Sequence, residues 1–227
     1  MKESAYDNPV FFEKYSRMAR SQLGLAGAGG WPALQPVLPP FEGRRVLGLD
    51  ISERMLAVAG EKRGPRAIVY RRCAIEDVCF PAGSFDIVLS SLAFHYVQDW
   101  PGLVQNISRW LCPGGWLVFS TEHPVFTAEG SQQWVYGENG RILHFPVDHY
   151  YEEGPRTAVF LGEKVTKYHR TLTTYLQALW ENGFDVCSVR EPAPPAAMLD
   201  MPGMRDELRR PMMLLVKARR RLTRRLA

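Results

Sequence analysis

Asp50 closes an apolar run, Val46-Leu47-Gly48-Leu49, and is followed by Ile51-Ser52. A carboxylate in that position can accept two hydrogen bonds from the ribose hydroxyls of a nucleoside-containing ligand. It can equally be the acid that opens the next helix, and the residue alone leaves both readings open. Cys73-Ala74-Ile75-Glu76-Asp77 follows a second apolar run. Its backbone and small side chain can lie against a planar base, or it can be an acidic surface turn. A third run ends in Ser90-Ser91-Leu92-Ala93-Phe94-His95-Tyr96. Small residues there let a ligand approach the backbone, and His95, with an unperturbed pKa near neutrality, is a candidate general base. A packing or helix-start histidine is the competing reading. His123, just past a fourth run, is the second candidate base. The five histidines have no regular spacing, and Cys73, Cys79, Cys112 and Cys187 form no CxxC pair, so no metal site is expected.

Those residues need elements to hold them. Phe11, Phe12, Tyr15, Met18 and Ala19 recur at roughly helical spacing and predict a helix over residues 1–23. Residues 24–43, rich in Gly and Pro, predict a loop. Arg45–Asp50 predicts a strand, and Ser52 an N-cap for a helix over 53–62 that Gly64-Pro65 stops. Ala67–Arg71 and Phe85–Ser90 predict further strands, with a turn at Pro81–Ser84 between them. The unbroken Ile87-Val88-Leu89 suits a strand buried on both faces. A helix around 100–111 is expected to end at the breaker Cys112-Pro113-Gly114-Gly115, with a fourth strand over Trp116–Thr121. Residues 122–165 show no clear period and read as an insertion rich in Trp, Tyr and His. Thr171–Asn182 reads as an amphipathic helix, Phe184–Glu191 and Pro211–Ala218 as two final strands. Strands alternating with helices predict one α/β domain with a mostly parallel sheet. Ligands in such sheets bind beyond the carboxyl ends of the strands, where Asp50, the 73–77 loop and Ser90–His95 all fall.

The chain has 227 residues, enough for one domain with a buried core. Its net charge of +4 is carried by the end of the chain: Lys217, Arg219, Arg220, Arg221, Arg224 and Arg225 supply six positive charges, and without them the balance is −2. A basic tail over 217–227 can touch nucleic acid or anionic lipid. It reads here as a solvated terminus, so neither nucleic acid nor membrane is expected as a partner. The polar N-terminus has no signal-peptide core, no apolar run is long enough to span a bilayer, and the cysteines read as reduced thiols. A cytoplasmic protein is expected.

Taken in order, the segments resemble class I S-adenosylmethionine-dependent methyltransferases of the small-molecule type. VLGLDISERML resembles the family's second strand and its acidic ribose ligand. CAIEDVCFPAGSFDIVLSSLAFHYV resembles the adenine loop and fourth strand, and ISRWLCPGGWLVFSTEHP the helix, PGG turn and fifth strand. KYHRTLTTYLQALWENGFDV resembles the last helix and sixth strand, PMMLLVKARR the seventh, and YDNPVFFEKYSRMA the cofactor-capping helix. A nicotinamide-dependent dehydrogenase also uses an acidic strand end, but it does not account for this order of segments. The resemblance implies a Rossmann-like sheet, mostly parallel with an antiparallel last strand, and S-adenosyl-L-methionine as cofactor. It implies cofactor contacts from Asp50, Ile51, Ala74, Ile75, Glu76, Ser90, Ser91 and Tyr15. Tyr6, Phe12, Tyr15 and Trp134 are candidates for an aromatic face against the sulfonium. The acceptor is expected to be a small molecule, its site covered by the 122–165 insertion with His123, His144, His149, Tyr150 and Tyr151, and His169 just beyond.

One part of the pattern is missing. The family's first strand should run into a glycine-rich turn, because the backbone there passes close to the ligand at unusual angles. Here Gly43-Arg44-Arg45-Val46 resembles the start of the first strand, yet Leu47-Gly48-Leu49-Asp50 already resembles the end of the second. The glycines at 24–30 are no substitute, since no strand precedes them and Trp31-Pro32 follows. The sheet is therefore expected to be one strand short. Val46–Asp50 is expected to take the central place of the missing strand, since a gap in a central strand leaves many backbone groups unpaired.

Overall fold

The structure is a computed structural model and describes residues 5–40, 45–62 and 68–222. Asn8 caps α1 (Pro9–Ser16), its side chain accepting from the Val10 and Phe11 amides. The chain then breaks at Met18, whose backbone is extended, and resumes as the short α2 (Ala19–Gln22). The single helix expected over 1–23 is thus two pieces. The loop expected over 24–43 carries short helical turns, including α3 (Trp31–Leu34). β1 (Val46–Asp50) leads through the Ser52 cap into α4 (Glu53–Glu61) and on to β2 (Ile68–Arg72). The Gly64-Pro65 stop and the expected strand start at Ala67 lie outside the described residues.

β3 (Phe85–Ser91), α5 (Trp100–Trp110) and β4 (Leu111–Glu122) follow. The breaker expected at Cys112–Gly115 is instead a bulge inside β4. The register against β3 shifts there, Gly114 takes φ +80°, and a Cβ on Gly115 would meet the Cys112 and Asp86 carbonyl oxygens at 2.9 and 3.0 Å. The 122–165 segment, which shows no clear period in sequence, holds α6 (Pro124–Thr127), a small hairpin of β5 (Val135–Tyr136) and β6 (Ile142–His144), and β7 (Gly154–Phe160). β7 pairs antiparallel with β8 (Glu163–His169), which runs past the expected end of the insertion. α7 (Leu172–Glu181), β9 (Phe184–Arg190) and β10 (Met213–Arg220) close the chain.

The core lies on one face of a four-stranded sheet of order β3-β4-β10-β9, with β3 and β4 parallel and β10 antiparallel to both its neighbours. Trp100, Leu103, Val104, Ile107 and Trp110 of α5 pack with Tyr175 and Leu179 of α7 on Leu117, Phe119, Leu214 and Val216. Each fully buried large side chain contributes about 1.5–3 kcal/mol. On the opposite face Val118 and Leu215 are covered by Val37, with Leu34 and Leu38 beside it.

β1 and β2 form a separate parallel pair, from Val46 opposite Ile68 to Asp50 opposite Arg72. The expectation that Val46–Asp50 would replace the central strand is overturned: β1 makes no ladder with β3. It pairs with β2, supplied locally through α4, and the Cys73 amide pins the loop after β2 to Asp50 O at 3.0 Å. In the Rossmann order the first strand stands between the second and fourth, which is where pairing is broken here. The break leaves apolar side chains in solvent: Leu89 is 53% exposed, Val46 41% and Val69 66%. The expected tail is in part strand, and its Arg224 and Arg225 lie outside the described residues. Lys217–Arg220 belong to β10, Lys217 and Arg219 lie over the Trp116 ring, and Arg219 donates to Gly114 O. Among the described residues no helix is long and apolar enough to cross a membrane, and no group of three His, Cys, Asp or Glu is arranged to hold a metal ion.

Candidate functional site

The carboxyl ends of β1, β2 and β3 present most of the expected residues. The Asp50 carboxylate accepts from the Ser52 amide at 2.8 Å. Burial raises its pKa, and the neighbouring Asp7 adds to the rise. Ile51 and Ser52 form the turn into α4, where Ser52 Oγ caps the helix by accepting from the Met55 amide at 3.1 Å. Ala74 and Ile75 are half-buried, with Ile75 packed on the core, while Glu76 is exposed. Ser90 is buried and Ser91 exposed at the end of β3. The turn after it is held open by Leu92 at φ +52°, its amide donating to Ser120 O at 2.9 Å.

The N-terminal segment closes over these ends. Tyr6 packs edge-on against Phe11 and Tyr15, and its phenol faces that of Tyr96, which follows β3. Burial pushes the Tyr6 phenol up to about 12, with a smaller push from Asp50, and burial also raises Tyr96. Tyr6 therefore links the β1 side of the broken sheet to the β3 side. Asp7 accepts from Ser52 Oγ at 2.7 Å and from the Arg54 amide at 3.2 Å, and faces Arg72 at 3.4 Å. Tyr15 is buried beneath Tyr6, with Arg20 over its ring, and Arg54 lies over Phe12. Trp134 is not brought to this mouth by any contact. Its ring carries Arg210 and Arg209, and Arg210 is also stacked on Phe126 and Phe145 and paired with Glu207.

Both candidate bases lie beyond β3 and β4. His95 is buried, and its Nδ1 accepts from the Glu122 amide at 3.3 Å, with Thr121 Oγ1 at 3.4 Å. Burial lowers its pKa to about 4, against the pull of Glu122. His123 caps α6 through Nδ1, which accepts from the Val125 amide at 3.0 Å. Its Nε2 sits 2.7 Å from Glu191 Oε1 but without hydrogen-bond alignment, and burial lowers its pKa. His169 is fixed between Thr127 Oγ1 and Tyr150 O, His149 is exposed beside Glu152, and His144 is exposed on β6.

A buried polar cluster that sequence reasoning missed sits next to His95. Lys167, 3% exposed on β8, donates to Glu122 Oε1 at 2.5 Å and to Gln132 Oε1 at 2.8 Å, while Gln132 Nε2 donates to Glu122 Oε2 at 2.6 Å. Lys167 looked like an ordinary surface lysine. The signal that marks it is its place two residues from Val165 and two from His169, on the inward side of a strand. Asp7 and Tyr96 were also missed, though each adjoins a residue that was named.

These groups fit the adenosine half of a nucleoside cofactor: an acidic strand end, an adjacent half-buried loop and a small-residue strand end. They do not supply the glycine cradle. The β1–α4 turn contains no glycine, and Gly48 is packed so that a Cβ would meet the Tyr70 ring at 2.8 Å. The N-terminus of α4, the place where a helix welcomes an anion, already holds Asp7. Two surface depressions lie away from this mouth. One of about 510 Å³ is lined by Arg141, Ile142, Leu143, Asp206 and Arg209, and one of about 220 Å³ lies at the amino ends of β3 and β4 around Asp86 and Trp116.

Chains similar to this one include methyltransferases. Residues 26–119 match a family model described as a methyltransferase domain. A putative S-adenosylmethionine-dependent methyltransferase from Listeria monocytogenes is 43% identical with a TM-score of 0.82, covering 87% of this chain and 99% of that one. An S-adenosylmethionine-dependent methyltransferase from Mesorhizobium loti is 40% identical with a TM-score of 0.78, covering 87% and 100%. An uncharacterized protein of Haemophilus influenzae is 28% identical over 254 aligned positions, 96% of this chain and 98% of that one.

Proposed function

The chain belongs to the class I S-adenosylmethionine-dependent methyltransferases, and from that premise we propose that it is a small-molecule methyltransferase scaffold in which only the adenosine half of the cofactor site survives. When bound, S-adenosylmethionine supplies a methyl group activated on a sulfonium. In this chain Asp50 is the ribose acceptor, the Ala74–Glu76 loop and Ser90–Ser91 border the base, and Tyr6 and Tyr15 close the mouth. The observation that carries the reading is the broken pairing between β1 and β3, at the place of the strand that leads into the glycine loop. The alignment with the Haemophilus relative is longer than the 227 residues of this chain and so includes positions with no counterpart here. Residues 122–165, continued by β8, form the acceptor side. The four cysteines are free thiols, which fits the cytoplasm.

The seating of Asp7 on α4 favours a second reading, a relative that no longer holds cofactor. One experiment separates the two. Titration calorimetry with S-adenosylmethionine is run on the native chain and on a version with a glycine-rich strand, loop and helix restored before Leu47. Binding by both versions, weaker in the native chain, is expected; binding only by the restored version would support the second reading. Micromolar binding by the native chain would show that the remaining loops suffice and would sink the inactive reading. No binding by either version would overturn the assignment of this mouth to the cofactor.

A further inference from the structure

Every buried histidine in this chain has its Nδ1 occupied. His95 accepts there from the Glu122 amide, His123 from the Val125 amide, and His169 lies 2.8 Å from Thr127 Oγ1. A backbone amide can only donate, so Nδ1 of His95 and of His123 must be unprotonated and the neutral ring must carry its hydrogen on Nε2. The Nε2 atoms then differ. That of His169 reaches Tyr150 O at 2.9 Å, and that of His123 lies against Glu191. That of His95 is left 3.9 Å from Glu122 Oε1, too far for a hydrogen bond. The Glu122 carboxylate cannot come to meet it, because Lys167 holds one oxygen and Gln132 the other. His95 is thus a 2% exposed ring with one nitrogen locked and the other without a hydrogen-bond partner among the described residues.

We propose that His95 is a hydrogen-bond donor in the acceptor site, offering Nε2–H to an oxygen of the methyl acceptor, a carbonyl or carboxylate group, and that it is not a base. The assignment of this face to the acceptor rests on the reading above; the protonation pattern does not. A ring N–H with no partner within hydrogen-bond distance is open to an acceptor, and its neighbours select what that is. Lys167 and Arg170 bring positive charge from β8 and its end, Glu122 brings one negative charge from β4, and Tyr96 and Tyr175 complete the wall. Arg170 is itself committed to the Val97 and Gln98 carbonyls. Two cations against one carboxylate favour an oxygen acceptor over an ammonium group.

The test is nitrogen-detected NMR of the full native chain labelled at histidine, with no cofactor needed. His95 is expected as the Nε2–H tautomer, without titration between about pH 5.5 and 8. Sodium acetate is expected to shift its Nε2 resonance saturably, and methylammonium chloride is not. In His95→Asn, whose side-chain oxygen can still accept from the Glu122 amide, the acetate response of that amide is expected to disappear. An Nδ1–H tautomer, titration near neutrality, or no response to acetate in the native chain overturns the proposal. Because calorimetry reads cofactor binding and NMR reads the imidazole, failure of one leaves the other standing.

Discussion

Burying an imidazole makes its charged form expensive, and His95 is 2% exposed. Its pKa falls from 6.5 to about 4, mainly through burial, with Lys167 and Arg170 adding to the fall and Glu122 opposing it. The unfolded chain therefore binds a proton at a higher pH than the folded one. The stability held in the neutral ring is fully present above pH 6.5 and is lost as pH falls toward 4, an upper bound of about 3 kcal/mol. Glu122 adds to this at lower pH. The nearby His95 and Lys167 hold its pKa below 4.5, so its contribution is present above that value and lost as pH drops through the folded one. Tyr96 and Tyr175, the other groups facing His95, stay neutral throughout. Urea midpoints measured from pH 8 to 4 should fall below about 6.5, and His95→Asn should remove part of that fall, the rest belonging to His123 and His169, whose pKa values burial also lowers. If the variant falls as steeply as the native chain above pH 5, His95 is not the group responsible.

At the scale of elements, residues that look like punctuation turn out to be packed structure. Cys112-Pro113-Gly114-Gly115 reads as a helix stop, and it does end α5, but β4 has already begun at Leu111. Gly115 lets two carbonyls approach where any Cβ would collide. Gly115→Ala should therefore cost about 1–3 kcal/mol. Gly60, inside α4 with nothing within 4 Å of its Cβ position, is the control. Gly60→Ala should stabilise by about 0.5–1 kcal/mol. Thermal denaturation of both variants checks the pair, and equal shifts would sink the argument. The same scale explains which elements were legible. β1, β3 and β10 are short apolar runs whose spans were legible, and β4 was legible from Trp116 on. β8 was hidden because its inward positions are Val165, Lys167 and His169, so the alternation is present in burial but absent in hydrophobicity. Asp50, Ser90 and the 73–77 loop were legible because they follow apolar strands. The Glu122–Lys167–Gln132 cluster was not, because three segments distant in sequence build it.

For the whole molecule, the interrupted sheet divides the fold into parts of unequal burial. β4 is buried along most of its length and β10 along half, whereas β1, β2 and α4 have no buried residue within their bounds. The β1–α4–β2 unit is joined to the rest by few groups: the Asp7 contacts to Ser52, Arg54 and Arg72, Arg54 over Phe12, Lys62 to Ser21 O, and Leu49 against the core. Open strand edges at β1 and β3 add nothing to that joint. Local opening needs less free energy where few apolar contacts are lost. Amide hydrogen exchange should therefore empty Leu47–Asp50 and Val69–Arg72 well before Leu117–Thr121 and Leu214–Ala218, by a factor of about 100 for each 2.7 kcal/mol of difference. Restoring the strand, loop and helix before Leu47 supplies a ladder to both free edges, so exchange in β1 and β3 should slow together while β9 is unchanged. If β1 exchanges as slowly as β4 in the native chain, the two sheets are coupled by something other than the contacts named. If restoration slows β1 but leaves β3 untouched, the added strand does not enter the place between them, and the Rossmann order is not recovered.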